Sequence, residues 1–333
     1  MSGGDLNPPE PGGGPVQPGT GGDPPIATDR RAYYERDRTP SMDERSALGL
    51  IAEHLDPAGD DAAVVDGLVV TIDMLHESTD FPPGTTRYTA GWRAVGASLS
   101  DVAAMGGEPT AAVAVYGAPT FDGEEITAFV DGARDVCAAV DGAYVGGDLD
   151  EHDELTVATA AVGRADDPVL RSGASPGDIV CVTGTLGRSA AALGFFEAGE
   201  YERANDLFRF EPRVAAGRAL AAYASAMMDS SDGLARSLHQ LAEASDVGFA
   251  VESPLPIAEA LSEVADPDER QELAVSFGED FELVCTIPEE KLDAAREASP
   301  TEISSIGRVT AEGEITLDGE PLPDRGYTHG ESA

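Results

Sequence analysis

Residues 91–117, GWRAVGASLSDVAAMGGEPTAAVAVYG, carry the chain from one kind of secondary structure into another. The first part belongs to a helix predicted over residues 86–105, and TAAVAVYG at 110–117 reads as a strand. A helix that runs directly into a strand is the repeating unit of an α/β chain, and the alternation continues on both sides. Upstream, AAVVDGLVVTI (62–72) reads as a strand pair or one long strand; downstream come a helix over 123–140 and the strand TVATAAVG (156–163). After the linker RADDPVLRSGASPGD (164–178) the pattern restarts. DIVCVTG and SAMM read as strands, and RSAAALGFFEAG, PRVAAGRALAAYA and LARSLHQLAEA as helices. FELVCTIP is then a strand, EEKLDAAREA a helix, and ISSIGRV with GEITLDG a closing strand pair. The expectation is a two-domain α/β (α+β) protein, with domains at 42–167 and 168–330. A helical pattern from Asp43 through Leu48, Leu50, Ile51 and Leu55 opens the folded part. Residues 1–41 precede it as a Gly/Pro-rich tail. Its first 28 residues hold eight Gly and seven Pro and almost nothing apolar, too little to offset the entropy of ordering, so the tail is expected to be disordered.

The chain has 333 residues, with 21 Lys and Arg against 62 Asp and Glu, a formal net charge of −41. Every basic residue but Lys291 is Arg. Such an excess of short, hydrated carboxylates on a chain that is 41% hydrophobic fits a folded, halophilic protein, because concentrated salt screens their repulsion. The same field opposes nucleic acid, which proteins bind largely by setting Lys and Arg on phosphates. No run approaches about 18 apolar residues and no basic-then-apolar leader opens the chain, so no membrane association and a cytoplasmic location are expected. Cys137, Cys181 and Cys285 lie far apart in apolar runs and read as reduced core residues. The five His have no zinc-ligand spacing, so any metal must be held by oxygen.

The polar residues that stand out are carboxylates set among small residues where apolar segments end. They occur in Gly59-Asp60-Asp61, Ile72-Asp73, Ser100-Asp101, Gly146-Gly147-Asp148, Asp229-Ser230-Ser231-Asp232-Gly233 and Gly278-Glu279-Asp280. In an open α/β sheet ligands gather at strand ends, and Gly there lets the backbone come close. Any one of them also reads as a turn or a cap, Asp232 for example as the N-cap of LARSLHQLAEA. Their repetition argues for convergence on one site. Carboxylates without His or Cys suit hard cations, and Mg²⁺ is bound through a few carboxylates, water and substrate phosphates. Phosphate chemistry follows. A P-loop is excluded because the one lysine lies in EEKLDAAREA, and no HRD or DFG string is present. Metal ions must therefore replace the basic clamp.

In order over residues 48–330, the strings GDDAAV, TIDMLHESTDF, GWRAVGASLSDVAAMGGEPTAAV, YVGGD, SGASPGDIVCVTGTLG, MMDSSDGL, FGEDFEL and GYTH closely resemble those of the thiamine-monophosphate kinases. That family lies within the aminoimidazole ribonucleotide synthetase superfamily. The resemblance implies the superfamily's two-domain fold and a homodimer paired through N-terminal sheets. It implies Mg-dependent, direct in-line transfer of the γ-phosphoryl group of ATP to thiamine monophosphate, giving thiamine diphosphate and ADP, with no covalent phospho-enzyme. Carried over position by position, it implies several Mg²⁺ ions held by Asp60, Thr71, Asp73, Asp101, Asp148 and Asp229, with Asp232 near a further ion. Gly147, Asp148, Arg171 and Ser231 would contact ATP, and Asp80, Glu279 and Tyr327 the thiamine substrate. The chain departs from the pattern twice. HESTDF stands where bacterial members have VEGVHF, which puts Asp80 in place of a substrate-facing His, and Ser98 stands where Asn is usual. A carboxylate at Asp80 still suits the cationic thiazolium.

Two other readings are open. An aminoimidazole ribonucleotide synthetase-type enzyme would share the metal and ATP architecture but activate a formyl-amide oxygen. A non-catalytic acidic cation-binding protein would explain the charge but not the placement of Asp beside Gly; binding of Mg-ATP separates it from both enzymes. The charge itself makes a prediction. Between about 1 M and about 0.1 M salt the Debye length grows from about 3 to about 10 Å, so the melting temperature should fall steadily as KCl is lowered over that range. A melting temperature indifferent to KCl contradicts the halophilic reading.

Overall fold

A two-residue hairpin starts the first sheet. Asp66 and Gly67 both take positive φ, 52° and 75°, as in the type I′ turn that matches strand twist, and they return β1 (Ala63–Val65) onto β2 (Leu68–His76). The structure is a computed structural model that describes residues 47, 49–51, 54–55 and 59–326; the expected tail and most of the helix from Asp43 lie outside these. β2 pairs antiparallel with β5 (Thr156–Arg164), β5 antiparallel with β3 (Glu108–Ala118), and β3 parallel with β4 (Tyr144–Glu151). The order is β1-β2-β5-β3-β4.

Helices Arg87–Ala104 and Gly123–Ala139 cover one face of this sheet, close to their predicted spans. Each starts on a side-chain cap: Thr86 accepts from Thr89 N, and Asp122 from the amides of Glu124 and Glu125. The period of two along β2 sorts its residues. Thr71, Asp73 and Leu75 point toward the helices, whereas Val70, Ile72 and Met74 are exposed on the other face, Ile72 at 78%. Val113 and Val115 of β3 and Val145 and Leu149 of β4 are exposed too.

The second sheet has seven strands in the order β12-β11-β8-β10-β6-β9-β7. They are β6 (Ile179–Thr183), β7 (Ala226–Asp229), β8 (Gly248–Val251), β9 (Leu283–Ile287), β10 (Ile303–Thr310), β11 (Ile315–Leu317) and β12 (Glu320–Pro321). β6, β7 and β9 are buried at every residue, which is why their sequences are unbroken apolar runs rather than alternating ones. The expected pairing of ISSIGRV with GEITLDG does not occur. β8, whose four residues carry too little pattern to stand out in the sequence, lies between β10 and β11. β4 likewise had no sequence signal, because YVGGDLDE is mostly exposed and lacks apolar alternation.

Helix Arg87–Ala104 is shared by both halves. Its Leu99, Val102 and Met105 just beyond it join one apolar cluster with Cys181, Met227, Leu283 and Cys285 of the second sheet. The three cysteines are buried free thiols, and burial pushes the Cys137 thiol up to about 12. Among the described residues no helix is long and apolar enough to cross a membrane.

The two helices on the first sheet touch through glycines: a Cβ on Gly91 would stand 2.1 Å from Phe129 O, and one on Gly132 2.0 Å from Tyr88 O. Replacing a helical Gly by Ala ordinarily stabilises by about 1 kcal/mol. Here Gly132→Ala must separate the helices, an overpacking cost of about 1–3 kcal/mol, so the melting temperature should drop. A raised melting temperature would contradict the close approach.

Candidate active site

Four segments bring carboxylates to one place and a fifth brings a cation: the turn before β1 (Asp60, Asp61), β2 (Thr71, Asp73), the end of helix Arg87–Ala104 (Ser98, Ser100, Asp101) and the end of β7 (Asp229), with the linker supplying Arg171. Asp61, Asp101 and Asp229 each set a carboxylate oxygen within 4.8 Å of the other two. Of the predicted positions only Asp229 ends a strand. Asp73 lies within β2, and Asp101 lies in the last turn of a helix that has no basic residue there. A helix C-terminus repels an anion, so the location adds to the mutual repulsion.

Hydroxyls and one guanidinium hold the cluster. Thr71 Oγ1 donates to Asp101 Oδ2 (2.5 Å), Ser98 Oγ to Asp73 Oδ2 (2.7 Å) and Ser100 Oγ to Asp229 Oδ2 (2.6 Å). Arg171 grips Asp61 with Nη2 to Oδ1 (2.9 Å) and Nε to Oδ2 (3.3 Å), and its backbone N donates to Asp60 Oδ1 (3.0 Å). Burial, then the charges of Asp73, Asp229 and Asp61, push the Asp101 carboxyl well above the usual carboxylate range. Burial and Asp61 push Asp229 up to about 7, burial and Asp61 push Asp60 up to about 6, and burial raises Asp73. Burial opposes the charge on Arg171, but Asp61 outweighs it and the guanidinium is held more firmly protonated. One arginine cannot neutralise five aspartates. The donors are all oxygen, and the Ser230 hydroxyl beside Asp229 is buried with no hydrogen-bond partner among the described residues. Such a set fits a hard divalent cation such as Mg²⁺.

The structure gathers the predicted residues unevenly. Asp61, not Asp60, enters the cluster; Asp60 turns to the Arg171 amide instead. Asp148 is exposed on β4, where its Oδ1 accepts from Leu149 N, and it lies outside the cluster. Gly147 beside it is required sterically, since a Cβ there would stand 1.8 Å from Ala114 O on β3. Ser231 O accepts from Glu279 N (2.6 Å), which joins the Asp229–Gly233 loop to the Gly278–Glu282 loop; Asp232 is in the first of these, outside the three-carboxylate group. Asp80 is buried and closes its own turn, accepting from His76 N (2.6 Å) and Thr79 Oγ1 (2.8 Å). Tyr327 lies outside the described residues. In FGEDFEL the three acids divide the work. Asp280 accepts from Gly187 N (2.5 Å) and Ser189 N (3.0 Å) at the start of helix Arg188–Glu197, Glu282 takes Arg213 bidentately (2.7 and 2.6 Å), and Glu279 meets Arg93. The ligand set implied by the resemblance held Asp60 and not Asp61, and no orienting role was read for the hydroxyls of Ser98 and Ser100. The doubled Asp of GDD was the available signal for Asp61.

The chain matches two family models, the N-terminal domain of AIR synthase related protein over residues 59–165 and the C-terminal domain over 175–320, which together define the class. It is 66% identical over 291 residues to the thiamine-monophosphate kinase of Halobacterium salinarum, covering 86% of this chain and 100% of that one. It is 42% identical over 300 residues to the thiamine-monophosphate kinase of Methanospirillum hungatei, covering 86% and 99%. The solved structure of AaThiL complexed with AMPPCP and TMP superposes with a TM-score of 0.81 at 28% identity, over 89% of this chain and 99% of that one. The chain belongs to the thiamine-monophosphate kinase family.

The raised carboxyls set a pH dependence. Between the unfolded value of 3.8 and the folded value of about 7 for Asp229, the folded state holds the extra proton, so this group's contribution to stability is lost as pH rises through that window. In chelator, the melting temperature should therefore fall from about pH 5 to about pH 8, and Asp229→Asn should flatten the slope. A variant slope as steep as that of the unchanged chain contradicts the assignment.

Proposed function

We propose that the chain phosphorylates thiamine monophosphate with ATP to give thiamine diphosphate, by direct in-line transfer at the carboxylate cluster. The convergence of Asp61, Asp101 and Asp229 carries this reading, with Asp73 beside them. The names of the family relatives, and the AMPPCP and TMP held by the solved relative, support both substrates.

The acceptor phosphate is already an anionic nucleophile, so no general base is needed. The difficulty is bringing it against a triphosphate. Mg²⁺ held by Asp61, Asp73, Asp101 and Asp229 would cancel that repulsion while aligning attacking and leaving oxygens. The hydroxyls of Thr71, Ser98 and Ser100 fix the carboxylates beforehand, so little reorganisation is left for the transfer. ATP is assigned to Gly147, Asp148, Arg171 and Ser231. A cavity of about 420 Å³ lined by Tyr116, Phe129, Tyr144, Gly147 and Asp148 supports the Gly147 and Asp148 part of this assignment. Asp148 and Asp232 are assigned to further ions on the phosphates, and the thiamine end to Glu279, Asp80 and Tyr327. Asp80 is buried while the Glu279 side chain is a quarter exposed, which favours Glu279 as the direct contact. The exposed apolar face of Val70, Ile72, Met74, Val113 and Val115 supports a homodimer formed through the first sheet.

Incubation with Mg-ATP and thiamine monophosphate in concentrated KCl should yield thiamine diphosphate and ADP on chromatography. Asp101→Asn should lower the rate about 10²-fold or more with the fold retained, because it keeps shape but removes an anionic ligand. No turnover of thiamine monophosphate together with turnover of formylglycinamidine ribonucleotide would move the assignment to the aminoimidazole ribonucleotide synthetase reaction.

A further inference from the structure

Helix Arg87–Ala104 buries one arginine almost completely. Arg93 is 1% exposed, about two turns before Asp101. A guanidinium taken out of water needs strong compensation, and three kinds are present. Nη1 donates to Phe208 O at 2.6 Å, Nη2 meets Glu279 Oε2 at 3.1 Å, and the guanidinium carbon lies 3.5 Å from the centre of the Phe208 ring, with Phe210 and Phe281 at 5.5 and 5.6 Å. Phe210 and Phe281 stack on each other at 4.1 Å. These rings enclose the Arg93 guanidinium.

Glu279 is therefore fixed at both ends. Its backbone sits at φ 57°, a conformation few side-chain-bearing residues adopt, and its N donates to Ser231 O at 2.6 Å. Its side chain ends on Arg93. The pair is polarised, with the guanidinium sealed inside and the carboxylate side chain 25% exposed. The neighbouring acids Asp280 and Glu282 are buried on the Gly187–Ser189 amides and on Arg213, whereas the Glu279 side chain, paired with Arg93, keeps a quarter of its surface exposed.

We propose that Arg93 is a positioning residue for the substrate's cationic organic part: it touches no substrate, but locks the Glu279 carboxylate in the orientation that receives a positively charged heterocycle. This rests on the reading of Glu279 as a thiamine contact. Because the same helix carries Ser98, Ser100 and Asp101, the lock also ties the Glu279 carboxylate to the carboxylate cluster through one element. Without it, Glu279 must be ordered at each binding event, and the loss should fall on the organic substrate and not on ATP or metal.

Steady-state kinetics of the full chain, Arg93→Met, Arg93→Lys, Glu279→Gln and the double variants test this. Arg93→Met should raise KM for thiamine monophosphate about tenfold, with KM for Mg-ATP and the Mg²⁺ dependence of rate changed by less than about twofold. Arg93→Lys, which keeps the charge but not the fork, should recover part of the loss. In the Glu279→Gln background the Arg93 substitutions should add little, since both act through one carboxylate. Should Arg93→Met fail to fold, the Lys and Gln variants complete the same cycle. KM values for both substrates rising together, effects that multiply, or no change in KM for thiamine monophosphate would each overturn the proposal while the functional reading stands. Absence of turnover of thiamine monophosphate by the unchanged chain would remove both.

Discussion

Asp61, Asp101 and Asp229 are held within 4.8 Å of one another by three separate segments, with Asp73 close by and Arg171 as the cation gripping Asp61. A fold that forces such anions together carries an electrostatic cost that only protons or cations can relieve. At neutral pH protons relieve part of it, as the raised Asp101 and Asp229 carboxyls indicate. A divalent cation would relieve more, and phosphates brought with it would find their counter-charge in place. Site and function share this origin.

The remainder of the molecule keeps that arrangement rigid. Helix Arg87–Ala104 is pinned to its neighbour by glycine contacts, packs on both sheets, and delivers Ser98, Ser100 and Asp101 at one end and Arg93 two turns back. β2 supplies Thr71 and Asp73 on the face toward the helix, and the same alternation places Ile72 and Met74 on the open face. One strand thus contributes to the carboxylate cluster and to an apolar surface at once. The −41 charge belongs to a different level: a net charge bears on solubility and response to salt, while the few buried carboxylates set the character of the candidate site.

Much of the fold was legible because helix and strand periodicities are local. The helices at 87–104 and 123–139 and strands β3, β5, β6 and β9 lie where the pattern puts them. β8 and the partner of β11 were not, because a four-residue strand is defined by its neighbours and not by its own sequence. At the site, the placement of carboxylates beside small residues singled out Asp73, Asp101 and Asp229, and the family resemblance added Arg171. The resemblance put Asp60 in the metal set, whereas Asp61 joins Asp101 and Asp229, since adjacent residues point in different directions and the Arg171 contacts set which carboxylate turns inward. Sequence could not show that Asp80 closes its own turn or that Arg93 lies behind Glu279, both of which depend on packing between distant segments.

The most direct test is calorimetric titration of Mg²⁺ into the full chain in concentrated KCl, repeated in buffers of different ionisation enthalpy. If the cluster stores protons that the cation must displace, the heat will vary with buffer and report proton release near neutral pH, fading as pH is raised above the value of about 7 for Asp229. Binding heats identical in every buffer near neutral pH, or no Mg²⁺ binding at all, would contradict a metal platform made from these carboxylates.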